Sequence, residues 1–298
     1  MDATPNYTVK GLSLAEQGRL NIEYAENQMG ALLKVRERFA KEKPLKGLRV
    51  GMALHLTKET AVLVKTLIAG GAEVAIASCN PLSTQDDVAA ALAKTGVKTF
   101  GYKGETKEDY YKFINAVIAT KPHITIDDGC DLVTEIHNKQ PQLIKDIIGG
   151  CEETTTGVIR LKAMEKEGAL KYPVVAVNDN KTKHLLDNYY GTGQSAIDGI
   201  LRATNTLFAG KTAVVAGYGD CGKGVSQKAR GLGANVTVAE VNPFRALQAK
   251  LDGFTVMPLT RAAETGHIHN SNRKQAHNKG RTLQKNEKRS NTRKRRTL

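Results

Sequence analysis

From Leu48 onward the sequence alternates short apolar runs with helix-like stretches, and that alternation restricts the chain to one class of fold. The order is LRVGMAL, ETAVLVKTLIAGG, EVAIAS, DDVAAALAKTG, VKTFGY, EDYYKFINAVIAT and ITIDDG. Strands too apolar for one wet face, separated by helices, predict a parallel sheet covered on both sides. Such sheets take ligands beyond the carboxyl ends of their strands, and His55, Asn80 and Asp128 each fall just past a predicted strand end. Before the first strand, residues 13 to 39 read as one amphipathic helix. Ser13 and Glu16 form its capping box, with Ile22, Ala25, Met29, Leu32 and Arg36 at helical spacing.

A second α/β unit begins near residue 186. DNYYGTGQSAIDGILRATNTLFAG reads as a long helix, TAVVAGYG as strand and turn, KGVSQKARGLG as a helix, and NVTVAEV as the next strand. The prediction is therefore two doubly wound, parallel-sheet, Rossmann-like α/β domains, over 1–185 and 186–266. The stretch from Lys181 to Asn188 reads as the joint between them.

The net charge of +14 is unevenly spread. Residues 267–298 hold 11 Lys or Arg against Glu287, a local charge of +10, which leaves +4 for the other 266 residues. With no aromatic and almost no apolar residue, that segment is predicted to be a disordered basic tail. It also lacks stacking side chains, so nucleic acid is not the expected partner. No apolar run reaches the roughly 18 residues of a membrane span, and MDATPNYTVKG lacks the features of a signal peptide. The expectation is a cytoplasmic protein with no membrane partner. Cys79, Cys130, Cys151 and Cys221 form no CxxC pair, so free thiols are expected, with neither a metal site nor a disulfide framework.

AGYGDCGKG follows a strand, opens a helix, and precedes a strand that ends at the acid Glu240 about 20 residues on. In that context Gly217 serves the tight turn, Gly219 the approach of backbone to a pyrophosphate, and Gly222 close helix packing. The helix start, Asp220 to Gly224 with Cys221 and Lys223 inside it, offers amide donors and the positive end of a dipole. Glu240 would bind ribose hydroxyls and repel a 2′-phosphate, which favours NAD. Polar clusters lie at 55–60, 80–87, 127–131, 152–157 and 178–188, and each alone admits a bland reading. His55 could be a structural histidine, Asp127 and Asp128 helix caps, and Lys181 with Lys183 a solvated face.

Taken together, LHLTKETAVL, SCNPLSTQD, DDGCDL, EETTTGV, VNDNKTKHLLDNYYGTGQS and VVAGYGDCGKG resemble the S-adenosylhomocysteine hydrolase family, almost unbroken from Lys10 to Gly266. The resemblance implies reversible hydrolysis of S-adenosyl-L-homocysteine to adenosine and L-homocysteine through NAD-dependent 3′-oxidation, elimination, water addition and re-reduction. By position it assigns Lys183, as base, and Asp187 to the 3′-hydroxyl, and His55 and Asp128 to protons at C5′. Glu153 goes to the ribose hydroxyls, and Thr57 and Glu59 to the purine side. Thr154, Thr155, Thr156 and Asn188 would meet the nicotinamide half of NAD, with the turn from Gly217 to Gly224, Glu240 and Arg245 holding the rest. It also implies a homotetramer serving the methyl cycle. Thr192 departs from the pattern, since many members carry cysteine there.

Three alternatives stand beside this reading: an S-inosyl-L-homocysteine hydrolase, a hydroxy-acid dehydrogenase sharing only the glycine loop, and a non-catalytic NAD- or nucleoside-binding fragment. The resemblance makes 1–185 a substrate-binding domain and 186–266 an NAD-binding domain that is incomplete, because after Gly266 the resemblance stops inside it. With freely chosen codons, HIHNSNRK and KRSNTRKRR read in a shifted frame as IFITATG and NGAILANA, motifs that the family would place there in that order. Residues 267–298 are therefore expected to be the product of a frame slip near codon 266, in a truncated chain expected to be inactive.

Overall fold

A computed structural model describes residues 6–263 and 267–270. The chain divides into two compact units after Asn178. That lies before the predicted boundary at 185, so the stretch around Lys183 belongs with the second unit.

Unit 1 is a seven-stranded, wholly parallel sheet in the order β1-β4-β3-β2-β5-β6-β7. Its strands are β1 (Tyr7–Thr8), β2 (Arg49–Leu54), β3 (Glu73–Ser78), β4 (Lys98–Phe100), β5 (Ile124–Asp127), β6 (Gly149–Glu152) and β7 (Val174–Ala176). Between them run α1 (Ala15–Glu26), α2 (Gly30–Glu42), α3 (Lys58–Ala69), α4 (Asp86–Lys94), α5 (Lys107–Ile118), α6 (Asp131–Lys139) and α7 (Thr155–Lys166). Alternate residues of β2 enter different cores. Val50, Met52 and Leu54 pack with Ile22, Val62 and Leu92 on one face. Ala53 packs with Phe113, Val117 and Leu132 on the other. Period-two alternation between two dry faces is why the strand reads as a continuous apolar run. Strand order reverses between β2 and β5, so the ligand-binding crevice of such a sheet opens beyond their carboxyl ends.

Unit 2 carries β8 (Thr212–Ala216), β9 (Asn235–Ala239), β10 (Thr255–Val256) and β11 (His267–Asn270), parallel in the order β10-β9-β8-β11. Its helices are α8 (Lys181–Lys183), a π-helix over His184–Gly191, α9 (Thr192–Thr204), α10 (Asp220–Gly231), α11 (Pro243–Leu251) and α12 (Leu259–Ala262). Val215, Val225, Ala229, Val238 and Phe254 form its core, and the order reverses beside β8, the strand that feeds the glycine loop.

Four expectations change. The helix over 13–39 is two helices, broken at Asn27–Met29 before Gly30; asparagine and glycine are poor helix formers. Ser13 lies in a 3-10 turn, Leu12–Leu14, so no side chain caps α1, and Glu16 pairs with Arg19 at 2.7 Å instead. The capping box that does form joins Thr106 and Asp109 on α5. The predicted long helix from 187 is π-helical to Gly191 and ends at Thr204, where Asn205 turns left-handed at φ 48°. Finally, His267–Asn270 pair with Ala213–Ala216 as a strand rather than belonging to a disordered tail. Composition gave no sign of this because an open strand edge pairs through backbone groups. The remaining tail residues, 271–298, lie outside the described residues. Among the described residues no helix is long and apolar enough to cross a membrane.

Candidate active site

Three neighbouring strands of unit 1 deliver polar side chains to one place. His55 follows β2, Cys79 follows β3 and Asp128 follows β5. His55 Nε2 lies 3.0 Å from Asp128 Oδ2, and Cys79 Sγ donates to the same oxygen at 3.6 Å. On the far side of the imidazole, Nδ1 is 2.5 Å from Ser83 Oγ. With Nε2–H given to the carboxylate, Nδ1 accepts the Ser83 hydroxyl, and the ring is fixed at both ends. Burial alone would raise the Asp128 carboxyl; hydrogen bonding and charge from His55, with the Glu153 side chain, outweigh it and hold the group below its ordinary range. Burial, then the charges of Asp128, Asp127 and Glu153, push the Cys79 thiol far up.

Two buried acids hold this edge in shape. Asp127 accepts from the amides of Asp128 at 3.0 Å and Val133 at 2.9 Å, and desolvation raises its carboxyl well above normal. Glu152, wholly buried, accepts from the amides of Gly129 at 2.9 Å, Cys130 at 3.0 Å and Thr154 at 3.0 Å. Gly129 and Cys130 both have positive φ, 114° and 66°, so their successive N–H groups form a concave nest around its carboxylate. Burial, only partly offset by these donors, raises Glu152 to about 7. Helix α7 lies directly over it: a β-carbon on Gly157 would come within 2.1 Å of Glu152 Cδ. The glycine of EETTTG is there to let the helix cover a buried acid.

Thr57 caps α3 by accepting from Thr60 N at 3.5 Å, and Lys58 N donates to Gln85 Oε1 at 2.9 Å, tying LHLTKET to SCNPLSTQD. Glu59 is in the first turn of α3 and faces solvent more than the others. Thr154 precedes α7, Thr155 Oγ1 accepts from Asn178 at 3.0 Å, and Thr156 continues the first turn.

In unit 2 Gly217 adopts φ 99°, and Gly219 opens α10 with no side-chain cap. A β-carbon on Gly219 would meet only Arg245 Nη1, at 3.5 Å, so the loop's outer face has room for a ligand at a helix N-terminus. Glu240 accepts from Tyr218 N at 2.6 Å, Val241 N at 2.7 Å and Asn242 N at 2.9 Å. Those bonds outweigh its burial and lower its carboxyl, which keeps a negative charge at the end of β9. Asp220 starts α10, and Gly222 and Gly224 are buried in it. The tightest approach belongs to Gly224, where a β-carbon would sit 1.9 Å from Tyr189 O. An uncapped amide terminus, a glycine cradle and an acid at the next strand end fit the adenosine and pyrophosphate portions of NAD.

The π-helix gathers the remaining candidates. Lys183 Nζ donates to Asn188 Oδ1 at 2.9 Å and lies 3.5 Å from Asp187 Oδ2. In an α-helix, residues five apart are rotated about 140° from each other; the wider π turn puts Lys183 and Asn188 on one face. Helix α10 packs against the π-helix, with Gly224 beneath Tyr189 O, and the charges of Lys183 and Asp187 reach Cys221 in its first turn.

Comparison with known proteins decides the lineage. The model of S-adenosyl-L-homocysteine hydrolase matches residues 6–142, and that of its NAD-binding domain matches residues 188–274. The chain belongs to the S-adenosyl-L-homocysteine hydrolase family. It is 62% identical over 262 residues to an S-inosyl-L-homocysteine hydrolase of Methanocaldococcus jannaschii. It is 61% identical over 263 residues to an adenosylhomocysteinase of Sulfurisphaera tokodaii. Each alignment covers 88% of this chain and 63% of the relative. An adenosylhomocysteinase of Aquifex aeolicus is 58% identical over 261 residues, 87% of this chain and 62% of its own. The chain thus spans about 63% of the length of these family members.

The structure brings His55, Asp128 and Glu153 together in unit 1, and Lys183, Asp187, Asn188, Cys221 and Thr192 together in unit 2. Ser83, Glu152 and Gly157 were not singled out from sequence, and Cys79 and Asp127 were read only as a free thiol and a helix cap. Cys79 carried the same signal as His55, a polar residue one step past a strand.

Proposed function

We propose that this chain binds NAD in unit 2 and S-adenosyl-L-homocysteine in unit 1, and takes part in reversible cleavage of the thioether to adenosine and L-homocysteine. The observation that carries the reading is Lys183, held by Asp187 and Asn188 on the π-helix that packs against the glycine-loop helix at Tyr189 and Gly224. A base must sit beside the cofactor for a sugar hydroxyl to be oxidised.

When bound, NAD supplies reversible oxidation of the 3′-hydroxyl. Lys183 takes the hydroxyl proton, with Asp187 and Asn188 aiming its Nζ. His55, its ring fixed by Asp128 and Ser83, holds the proton that the departing sulfur collects, and later accepts one from the water that adds at C5′. Glu153 grips the ribose hydroxyls; Thr57 and Glu59 meet the purine. Thr154, Thr155 and Thr156 face the nicotinamide half of NAD, and Glu240 and Arg245 hold the adenosine half. The same reading places the protein in the cytoplasm, as a homotetramer of the methyl cycle.

The test is purified full-length chain with NAD and S-adenosyl-L-homocysteine, scored for released thiol and for reduced-nicotinamide absorbance. Against the inactivity expected of a frame-slipped chain, both signals should appear, and both should be lost in Lys183→Met. Their absence in the parent chain would refute the proposal. The inosyl substrate is the second reading, since relatives of both kinds match this chain equally well, at 62% and 61% identity; turnover of the two nucleosides side by side separates them.

A further inference from the structure

Cys79 has no part in the proton transfers above, yet it sits among the groups that do. His55, Cys79 and Asp128 each offer one ligand atom, and these atoms all lie within 4.8 Å of one another. We propose that they form a binding site for a borderline-soft divalent cation, of which Zn2+ is the type. The inhibitory part of this proposal rests on the function proposed above; the binding part does not.

The geometry suits the ion. With Zn–N, Zn–S and Zn–O distances of about 2.0, 2.3 and 2.1 Å, tetrahedral coordination separates N from O by about 3.4 Å and S from O by about 3.6 Å. The structure has His55 Nε2 at 3.0 Å and Cys79 Sγ at 3.6 Å from Asp128 Oδ2. The histidine moves a few tenths of an ångström from the carboxylate oxygen, and the third edge, His55 N to Cys79 S, lies within 4.8 Å and closes to about 3.5 Å around the ion. One imidazole, one thiolate and one carboxylate make a mixed N/S/O set that a zinc-like ion accepts and that magnesium or calcium does not.

The surroundings support the ligands. Ser83 Oγ already holds the outer nitrogen of His55 at 2.5 Å, the contact that orients a metal-bound histidine. When Nε2 carries the ion, Nδ1 takes the proton and the hydroxyl turns to accept it. Each ligand directly follows one of three adjacent parallel strands, β3, β2 and β5, so the set is mounted on the sheet rather than on a loose loop. Asp127 and Glu153 add negative potential at Cys79, which draws a cation and also holds the thiol protonated, so the ion must displace the thiol proton as it binds. Three protein ligands leave a fourth position for water or an incoming sulfur. A cation held there occupies the nitrogen and the oxygen that would handle protons at C5′, so metal binding and turnover exclude each other.

The probe is Co2+ added to the full-length chain, read by thiolate-to-cobalt charge-transfer absorption and by the intense visible bands of tetrahedral cobalt. Both should appear in the parent chain and in Cys151→Ser and Cys221→Ser, and both should vanish in Cys79→Ser. Ser83→Ala should weaken binding about tenfold. As a check that does not depend on variant folding, Zn2+ should protect Cys79 of the parent chain from alkylation while leaving Cys151 reactive. Absence of the charge-transfer band, its persistence in Cys79→Ser, or alkylation of Cys79 indifferent to Zn2+ would overturn the site. If the cobalt signals behave as expected but the chain has no thioether turnover, the site stands and the proposed function fails.

Discussion

Glu152→Gln tests whether a buried acid shapes the candidate active site. Glu152 is wholly enclosed, accepts three backbone amides, and is raised from 4.5 to about 7, burial being the largest cause. Because the folded value is the higher one, its contribution to stability is fully present below the unfolded pKa and is lost as pH rises through about 7. The gap corresponds to about 3.4 kcal/mol in all, and about 2.5 kcal/mol of that falls between pH 5 and pH 8. Glutamine has the same shape and does not titrate. Its oxygen keeps the Gly129 and Thr154 donors, while its amide meets Cys130 N–H donor to donor, a loss of about 1.5–3 kcal/mol relative to a carboxylate. Urea unfolding of both proteins at pH 5 and pH 8 isolates the effect, since Asp127 and every other titrating group is common to both. The parent should lose about 2.5 kcal/mol more than the variant over that interval. Hydrogen exchange at Gly129, Cys130 and Thr154 should locate the change. Parallel pH dependence in the two proteins would show that the acid does not carry the strain of this loop.

Gly157→Ala drives a β-carbon to within 2.1 Å of the same carboxyl and should cost about 1–3 kcal/mol, read as a lower thermal midpoint; an unchanged midpoint would mean that α7 is free to lift. Gly224→Ala places a β-carbon 1.9 Å from Tyr189 O and should push α10 away from the π-helix, weakening NAD binding by calorimetry; unaltered affinity contradicts the packing role. Asp128 is held below its ordinary range, so the stability from its pairing with His55 is present above about pH 4 and is lost as pH falls through the folded value. Asp128→Asn should lack that acid loss and should lower turnover about 100-fold or more; an acid unfolding curve superimposable on the parent's would refute the pairing.

Much of this architecture could be read from residues. Strands β2 to β5, β8 and β9 were legible because a sheet buried on both faces writes itself as unbroken apolar runs, and the strand ends then pointed to His55 and Asp128; β1, β6, β7 and β10, of two to four residues, were too short to read. Gly217, Gly219 and Glu240 were legible because each answers a backbone or charge requirement of one loop. Other features left weaker traces. The π-helix is invisible to a search for a period of 3.6, since its residues are those of an ordinary helix. Glu152 stood beside Glu153 in one polar cluster, and only the fold shows that one points into the sheet edge and the other toward Asp128. The break at Asn27–Met29 was masked by apolar residues that keep helical spacing on both sides of it. Strand β11 defeated composition because its pairing uses the main chain alone.

Eight residues, His184–Gly191, wind more loosely than an ordinary helix, and the placement of Lys183 against Asn188 depends on that slack. What the segment encodes is a count. Removing any one residue from it, even a solvent-facing one with no role of its own, would let the turn tighten to the common pitch and swing the lysine away from Asn188, so a deletion that spares every candidate side chain would still part that pair.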